Sequence, residues 1–295
     1  MQREITQEMA KDCLPRREAD ANKGSFGSVL AAAGSMAYRG AAALCTEGAL
    51  RAGAGLVYLA SVEPVVQMVL TRTPECCACG CRTAANGGIH PQDAEALRSW
   101  FDGKNTVLLA GPGLGESAAP VCNALLGKKA PWSAAVLDAD ALNALAAGKI
   151  KGPLPDQTVI TPHPGEAARL LDCTVGEVQA DREAAARRLA GTYHCIAVLK
   201  GRGTLIATPG GEVYHNPTGS AGLAKGGSGD ILAGLLSGLL AAGLKQGRTA
   251  EDAAIAAVWL HGAAGDRCAK RLGMAAMLPH DIFADLGAIF AELER

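Results

Sequence analysis

The sequence predicts an α/β fold: a doubly wound, mostly parallel sheet with helices on both faces. Three observations predict it. Apolar runs of strand length recur along the chain without the polar alternation of one-sided strands, as expected for strands buried on both faces. Ala- and Leu-rich stretches of helical length lie between them. Glycine-rich turns follow the strand candidates, at the place where open α/β sheets bind ligands.

The strand candidates are 29–33, 56–61, 106–110, 134–137, 158–161 and 196–200. The helix candidates between them are 37–51, 118–126, 141–147, 165–171 and 175–190. Segments 204–208 and 212–215 flank Pro209-Gly210-Gly211 and read as a late β-hairpin. Two long helices follow, at about 230–244 and 251–272. Residues 1–20 read as a polar lead-in and 21–295 as one domain, with no repeat, linker or low-complexity tract.

Composition narrows the function. At 295 residues and 49% hydrophobic, the chain can bury a substantial core, and its 37 glycines suit tight turns and close packing. A net charge of −1 gives no attraction to nucleic acid or to an anionic membrane. Aromatic residues are 4%, too few for a base-stacking surface. No apolar run reaches the ~18 residues of a membrane span. Met1 to Asp20 contains no signal-peptide apolar stretch, so a cytoplasmic location is expected. Of the ten cysteines, Cys45, Cys122, Cys195 and Cys268 sit in apolar or Ala-rich segments and read as small buried hydrophobes. Cys76, Cys77, Cys79 and Cys81 read as a cysteine-rich strand. A zinc site there needs a second ligand pair that the sequence does not supply, so no metal ligand is assigned.

The densest chemical signal is Lys225-Gly226-Gly227-Ser228-Gly229-Asp230, which opens directly into an apolar helix. Such a junction leaves backbone N–H groups free at the positive end of a helix dipole, a ready anion site. Asp230 is either a cap there or a base that takes a proton from an attacking hydroxyl. Gly111-Pro112-Gly113-Leu114-Gly115 ends a strand and lets a ligand approach the backbone closely, but it is no dinucleotide fingerprint. In Asp138-Ala139-Asp140-Ala141-Leu142-Asn143, Asp140 reads as the cap of the next helix. Asp138 and Asn143 stay open as lining of a polar, Mg²⁺-compatible cleft. Pro162 and Pro164 hold His163 stiffly at a strand's end, and Glu166 suits the first turn of the helix that follows. Lys200, beside Gly201 and Gly203, can neutralise a phosphate held by backbone N–H groups. Residues 216–230 make a long polar, glycine-rich loop, a length usually tied to function.

Taken together these segments resemble the ADP/ATP-dependent NAD(P)H-hydrate dehydratases, a branch of the ribokinase-like superfamily. The resemblance rests on Lys23-Gly24 with Gly27, Arg39-Gly40-Ala41-Ala42, Gly53-Ala54-Gly55-Leu56-Val57, the Gly111–Gly115 and Asp138–Ala141 segments, Thr161-Pro162-His163-Pro164-Gly165-Glu166 and Gly226–Asp230. These occur in the family's order and cover roughly residues 20 to 290. The resemblance implies a repair lyase that dehydrates the S epimer of hydrated NADH or NADPH, coupled to hydrolysis of ADP or ATP and assisted by Mg²⁺. It places Ala41, Gly113, His163 and Asp230 at the hydrated dinucleotide. It places Lys200, Gly201, Arg202, Gly203, Thr204 and Gly229 at the nucleotide, with Asp230 at the reacting hydroxyl. It also implies a homo-oligomer, often a tetramer. Two positions depart from the pattern: Arg202 replaces a small residue, and Asn22 replaces a histidine found in many members. The epimerase domain that many members carry in fusion has no room in the lead-in, so epimerisation is expected from another protein. The competing expectations are a kinase of the same superfamily acting on a hydroxymethylpyrimidine or hydroxyethylthiazole, and a non-catalytic nucleotide-binding protein.

Overall fold

A computed structural model describes residues 2–101, 105–127 and 130–294. Among them ten strands form one sheet: β1 (Gln2–Glu4), β2 (Ser28–Ala32), β3 (Leu56–Val62), β4 (Cys77–Cys81), β5 (Thr106–Ala110), β6 (Ala134–Leu137), β7 (Thr158–Ile160), β8 (Ile196–Leu199), β9 (Leu205–Ala207) and β10 (Val213–His215). Their order across the sheet is β1-β10-β9-β8-β7-β6-β5-β2-β3-β4. Strands β2 to β8 pair in parallel; β9 runs antiparallel to both β8 and β10. The expected hairpin is therefore β9–β10.

The register sets the site. Ala32 lies beside Ala110, Ala110 beside Leu137, and Leu137 beside Ile160. The chain leaves each of these strands along one rim, so residues 33, 111, 138 and 161 emerge together. Alternate residues of one strand face different cores. Val107 and Leu109 join the first core, whereas Leu108 and Ala110 join the second. That is why these strands read as continuous apolar runs.

The first core holds α1 (Gln7–Asp12), α2 (Arg39–Arg51), α3 (Glu63–Arg72), α10 (Ser228–Leu244), α11 (Ala250–Leu272) and α12 (Ile282–Leu293). The second holds α4 (Pro91–Trp100), α5 (Ala118–Leu125), α6 (Asp140–Ala146), α7 (Pro164–Leu170), α8 (Val175–Ala180) and α9 (Arg182–Tyr193). Helix α10 is buried without interruption from Ile231 to Gly243, so it carries no polar stripe. Gly234 and Gly238 let it touch α2: a Cβ on either would lie 2.2 Å from the Cys45 carbonyl oxygen or 2.3 Å from that of Ala49.

Two expectations are corrected. The single helix over 175–190 is broken at Asp181, whose carboxylate accepts a hydrogen bond from the Ala184 N–H at 2.9 Å and starts α9. An Asp competes with the helix for its own backbone and wins as a cap. The lead-in over 1–20 also belongs to the fold. Strand β1 pairs in parallel with β10, Ile5 is buried, and Thr6 caps α1. The cysteine-rich segment forms β4, as expected, at the sheet's edge. Helices α3, α4 and α12 were not expected.

Gly238→Ala gains roughly 1 kcal/mol of helix propensity but drives a methyl group into the backbone of α2, so a net loss of stability is expected. Gly191→Ala in α9, where nothing lies within 4 Å of a Cβ, should instead stabilise by about 0.5–1 kcal/mol. Urea unfolding of both variants checks this, and shifts of the same sign would refute the close α2–α10 contact.

Candidate active site

At the end of β6, Asp138 is 1% exposed. Its Oδ1 accepts hydrogen bonds from Thr161 Oγ1 at 2.8 Å and from Lys200 Nζ at 2.6 Å. The Lys200 ammonium also lies 3.9 Å from Glu166, and the Lys200 N–H donates to the Pro162 carbonyl at 2.9 Å. Burial alone depresses the lysine's pKa; Asp138 and Glu166 outweigh it and hold the group above its ordinary value. Lys200 is thus no ordinary turn lysine. It ties together the ends of β6, β7 and β8.

His163 caps α7. Its Nδ1 accepts from the Gly165 N–H at 3.0 Å, and the Glu166 carboxylate accepts from the His163 N–H at 2.8 Å, completing a capping box. The imidazole is half exposed into the cavity. Burial, then Lys200 and Arg169, lower its pKa and favour the neutral ring. Glu166 is raised by burial, against the pull of Lys200.

Asp230 lies in the first turn of α10. Gly227 precedes that helix with φ +103° and provides no side-chain cap. Among the described residues, the N–H groups of Gly226, Gly227, Gly229 and Asp230 find no acceptor. A Cβ on Gly229 would sit 3.3 Å from Lys200 Nζ, so the helix start rests directly against the ammonium. Burial pushes the Asp230 carboxyl up to about 7, reinforced by the Asp138 charge and opposed by Lys200.

These groups line a cavity of about 910 Å³ that includes Asp138, His163, Glu166, Lys200, Gly201, Arg202, Thr204, Gly229 and Asp230. Gly203, at φ +64°, packs against the His215 ring. Ala41 and Gly113 lie outside this lining, further along the same rim. They are neighbours, since a Cβ on Gly113 would come within 3.0 Å of the Ala41 methyl. Asp140 does not cap α6. Its carboxylate instead accepts from the Gly115 N–H at 2.8 Å, joining the β5 turn to the β6 turn, and Ala139 occupies the cap position with φ +49°. The expected cap is thereby corrected: the tight turn aims the Asp140 side chain across the rim instead of back along its own helix.

Sequence reasoning missed the platform under the long loop. The Asn216 amide donates to the Val258 carbonyl and Thr218 Oγ1 to that of Trp259, both at 3.2 Å; the Gly219 N–H donates to Asp266 at 2.9 Å. A Cβ on Gly262 would collide with Thr218 at 2.2 Å. Lys225 is occupied too, donating to the Ala275 and Met277 carbonyls. His261 lines the same cavity, and burial pulls its pKa down to about 4. Its Nε2 and the Ser228 hydroxyl have no partner among the described residues. These contacts join residues about 40 to 50 positions apart, beyond the reach of any local pattern.

The family model described as NAD(P)H-hydrate dehydratase matches residues 29–287. The chain belongs to that family. It is 37% identical over 266 residues to the ADP-dependent (S)-NAD(P)H-hydrate dehydratase of Neisseria meningitidis, covering 89% of this chain and 84% of that one. The ADP/ATP-dependent NAD(P)H-hydrate dehydratase of Bacillus subtilis, co-crystallised with ATP and Mg²⁺, superimposes with a TM-score of 0.84 at 30% identity over 99% of each chain. A ribokinase-like superfamily protein from Enterococcus faecalis superimposes at 0.83 with 26% identity, covering 100% of this chain and 97% of that one. The fold is ribokinase-like, as expected. The chain spans about half the length of the bifunctional NAD(P)H-hydrate repair enzymes that it also matches.

A carboxyl whose folded pKa is raised favours folding below its ordinary 3.8 and loses that contribution as the pH climbs to about 7. Asp230→Asn removes this titration. The variant's melting temperature should exceed that of the parent at about pH 8, with the gap closing toward about pH 4. Calorimetry at both pH values checks it; a gap independent of pH would contradict the buried, charge-crowded setting of Asp230.

Proposed function

We propose that this chain dehydrates the S epimer of hydrated NADH or NADPH, coupling the step to hydrolysis of ADP or ATP and restoring the reduced cofactor. One observation carries the reading: Asp230 stands at the start of α10, among N–H groups without acceptors and against Lys200. Phosphoryl transfer asks for positioning, charge neutralisation and a group that orients or deprotonates the nucleophile. In this reading the nucleotide occupies the part of the cavity made by Lys200, Gly201, Arg202, Gly203, Thr204 and Gly229. The hydrated dinucleotide reaches from Ala41 and Gly113 past His163 to Asp230. Asp230 takes the proton of the ring hydroxyl as its oxygen attacks the terminal phosphorus. The bond from that phosphorus to the rest of the nucleotide breaks, releasing AMP from ADP or ADP from ATP. The phosphate then leaves the ring with the former hydroxyl oxygen, and loss of a proton from the neighbouring ring carbon restores the double bond.

A carboxyl near pH 7 suits this task, because it is available as a base and still holds the proton it receives. Among the described residues, no three His, Cys, Asp or Glu side chains gather into a metal cage. That fits a Mg²⁺ held chiefly by nucleotide phosphates and water, the usual arrangement for this ion; its role here would be to neutralise phosphate charge. The ADP/ATP and Mg²⁺ assignments draw on the named relatives. We further propose carbon–oxygen lyase chemistry, a tetrameric homo-oligomer, a cytoplasmic setting and pairing with an epimerase activity that supplies the S epimer. No helix among the described residues is long and apolar enough to cross a membrane.

Prepared NADHX, offered with ADP and with ATP separately, tests the reaction. Release of inorganic phosphate with recovery of reduced-nicotinamide absorbance is expected. A stable phosphoester from a small alcohol substrate would assign the chain to the kinases instead. Asp230→Asn should lower turnover by about 10²–10⁴-fold while leaving nucleotide binding nearly intact. In the parent enzyme, kcat/KM should rise with pH through about 7. A folded variant with near-normal turnover would exclude Asp230 as the base. His163→Ala should weaken hydrated-dinucleotide binding more than ADP binding. Because this change also removes a helix cap, His163→Asn, which retains one, serves as the control. Equal losses for the two ligands in calorimetric titrations would refute separate subsites.

A further inference from the structure

Arg182 opens α9, well away in sequence from the turn over 200–204, yet its guanidinium reaches that turn. Nη2 donates to the carbonyls of Leu199 at 3.2 Å and of Lys200 and Gly203 at 3.4 Å. Nη1 faces Gln179 at 3.4 Å, and a Cβ on Gly201 would come within 3.0 Å of it. Burial lowers its pKa, and among the described residues no carboxylate forms an ion pair with it. A half-buried arginine usually finds an anionic partner; this one is held by carbonyl oxygens alone.

The peptide unit is planar, so its C=O and N–H point in opposite directions. Holding the Lys200 carbonyl therefore turns the Gly201 N–H away from Arg182. Holding the Gly203 carbonyl does the same to the Thr204 N–H. The Gly201 carbonyl is fixed from another side, by Thr204 Oγ1 at 3.0 Å, which sets the Arg202 N–H. Gly201 and Gly203 take φ +140° and +64°, conformations that allow consecutive units to be turned in this way. Among the described residues, none of the N–H groups from Gly201 to Thr204 has an acceptor, and Gly201, Arg202 and Thr204 line the cavity.

We propose that Arg182 is the positioning residue of this turn: it clamps the Lys200 and Gly203 carbonyls so that the opposed N–H groups face a phosphate-bearing ligand, and it places an unpaired positive charge behind them. The inference rests on the reading of residues 200–204 as a nucleotide site and adds the device that shapes it. Arg182 touches neither ligand nor reacting atoms; it acts through the backbone.

Titration calorimetry with ADP separates the possibilities. The parent chain should bind ADP. Arg182→Gln should bind it about tenfold more weakly or worse, the weight of one charge-assisted hydrogen bond. Arg182→Lys keeps the charge but not the fork, and should fall between them. KM for NADHX should stay unchanged in both, and melting curves should show both folded. Free guanidinium at a non-denaturing concentration should restore ADP affinity to Arg182→Ala. Unchanged ADP affinity in folded Arg182→Gln would overturn the proposal, as would equal losses for ADP and NADHX. If the glutamine variant does not fold, Arg182→Lys gives the same comparison. Failure of the parent to bind ADP would instead overturn the reading of the turn itself.

Discussion

The site depends on one buried ion pair, Lys200 with Asp138. A lysine and a carboxylate withdrawn from water lose hydration that only close pairing and further hydrogen bonds offset. Here the offset comes from three strand ends at once. Asp138 follows β6, Thr161 follows β7, and Lys200 follows β8. Removing Lys200 would leave the buried Asp138 carboxylate without its cation, so the pair fixes the relative positions of these turns more firmly than loop–loop packing could. It also sets the electrostatics beside it. The Asp138 charge helps to raise Asp230, and Lys200 limits how far it rises.

The second constraint is mechanical. Helix α10 is buried from Ile231 to Gly243, and its glycines bring it into contact with the α2 backbone, which anchors the cavity-facing first turn. The loop leading into it is held along α11, through Asn216, Thr218 and Gly219. A rigid helix start and a pinned loop together present N–H groups at a fixed place. Such dipoles are useful to a developing negative charge because no reorganisation is needed when it forms.

Much of this was legible in the sequence because the controlling signals are local. Parallel strands buried on both faces must be apolar throughout, and turns that need positive φ select glycine, as at Gly113, Gly203 and Gly227. The order of strands and turns thus located the rim and most of its residues. The partners of those residues were not legible. Asp140 looked like a cap because Asp before an apolar run usually is one; the tight turn at Ala139 directs it to Gly115 instead. Asp138 offered no sign of its distant partner Lys200. Arg182 lies within the segment 175–190 that reads only as a helix, and the fold alone brings it to the 200–204 turn. The lead-in looked polar because β1 is exposed along its length; Ile5, Ala10 and Cys13 are the residues by which it attaches to the core.

Asp230 sits in a cavity crowded with ionisable groups. Asp138, Glu166 and Asp230 contribute carboxylates, and Lys200, the nearest cation, is already shared between the first two. Lys225 is occupied by carbonyl oxygens. In the proposed reading, a phosphate here would meet oriented backbone N–H groups at two places, the α10 start and the 201–204 turn, with Arg202 in the cavity wall and Arg182 behind the turn adding positive charge. Lys200 rests against the first of these places and is paired with Asp138. Asp138 and Lys200 act on Asp230 in opposite directions, the first raising its carboxyl and the second lowering it, so the state of this ion pair bears directly on how tightly Asp230 holds a proton.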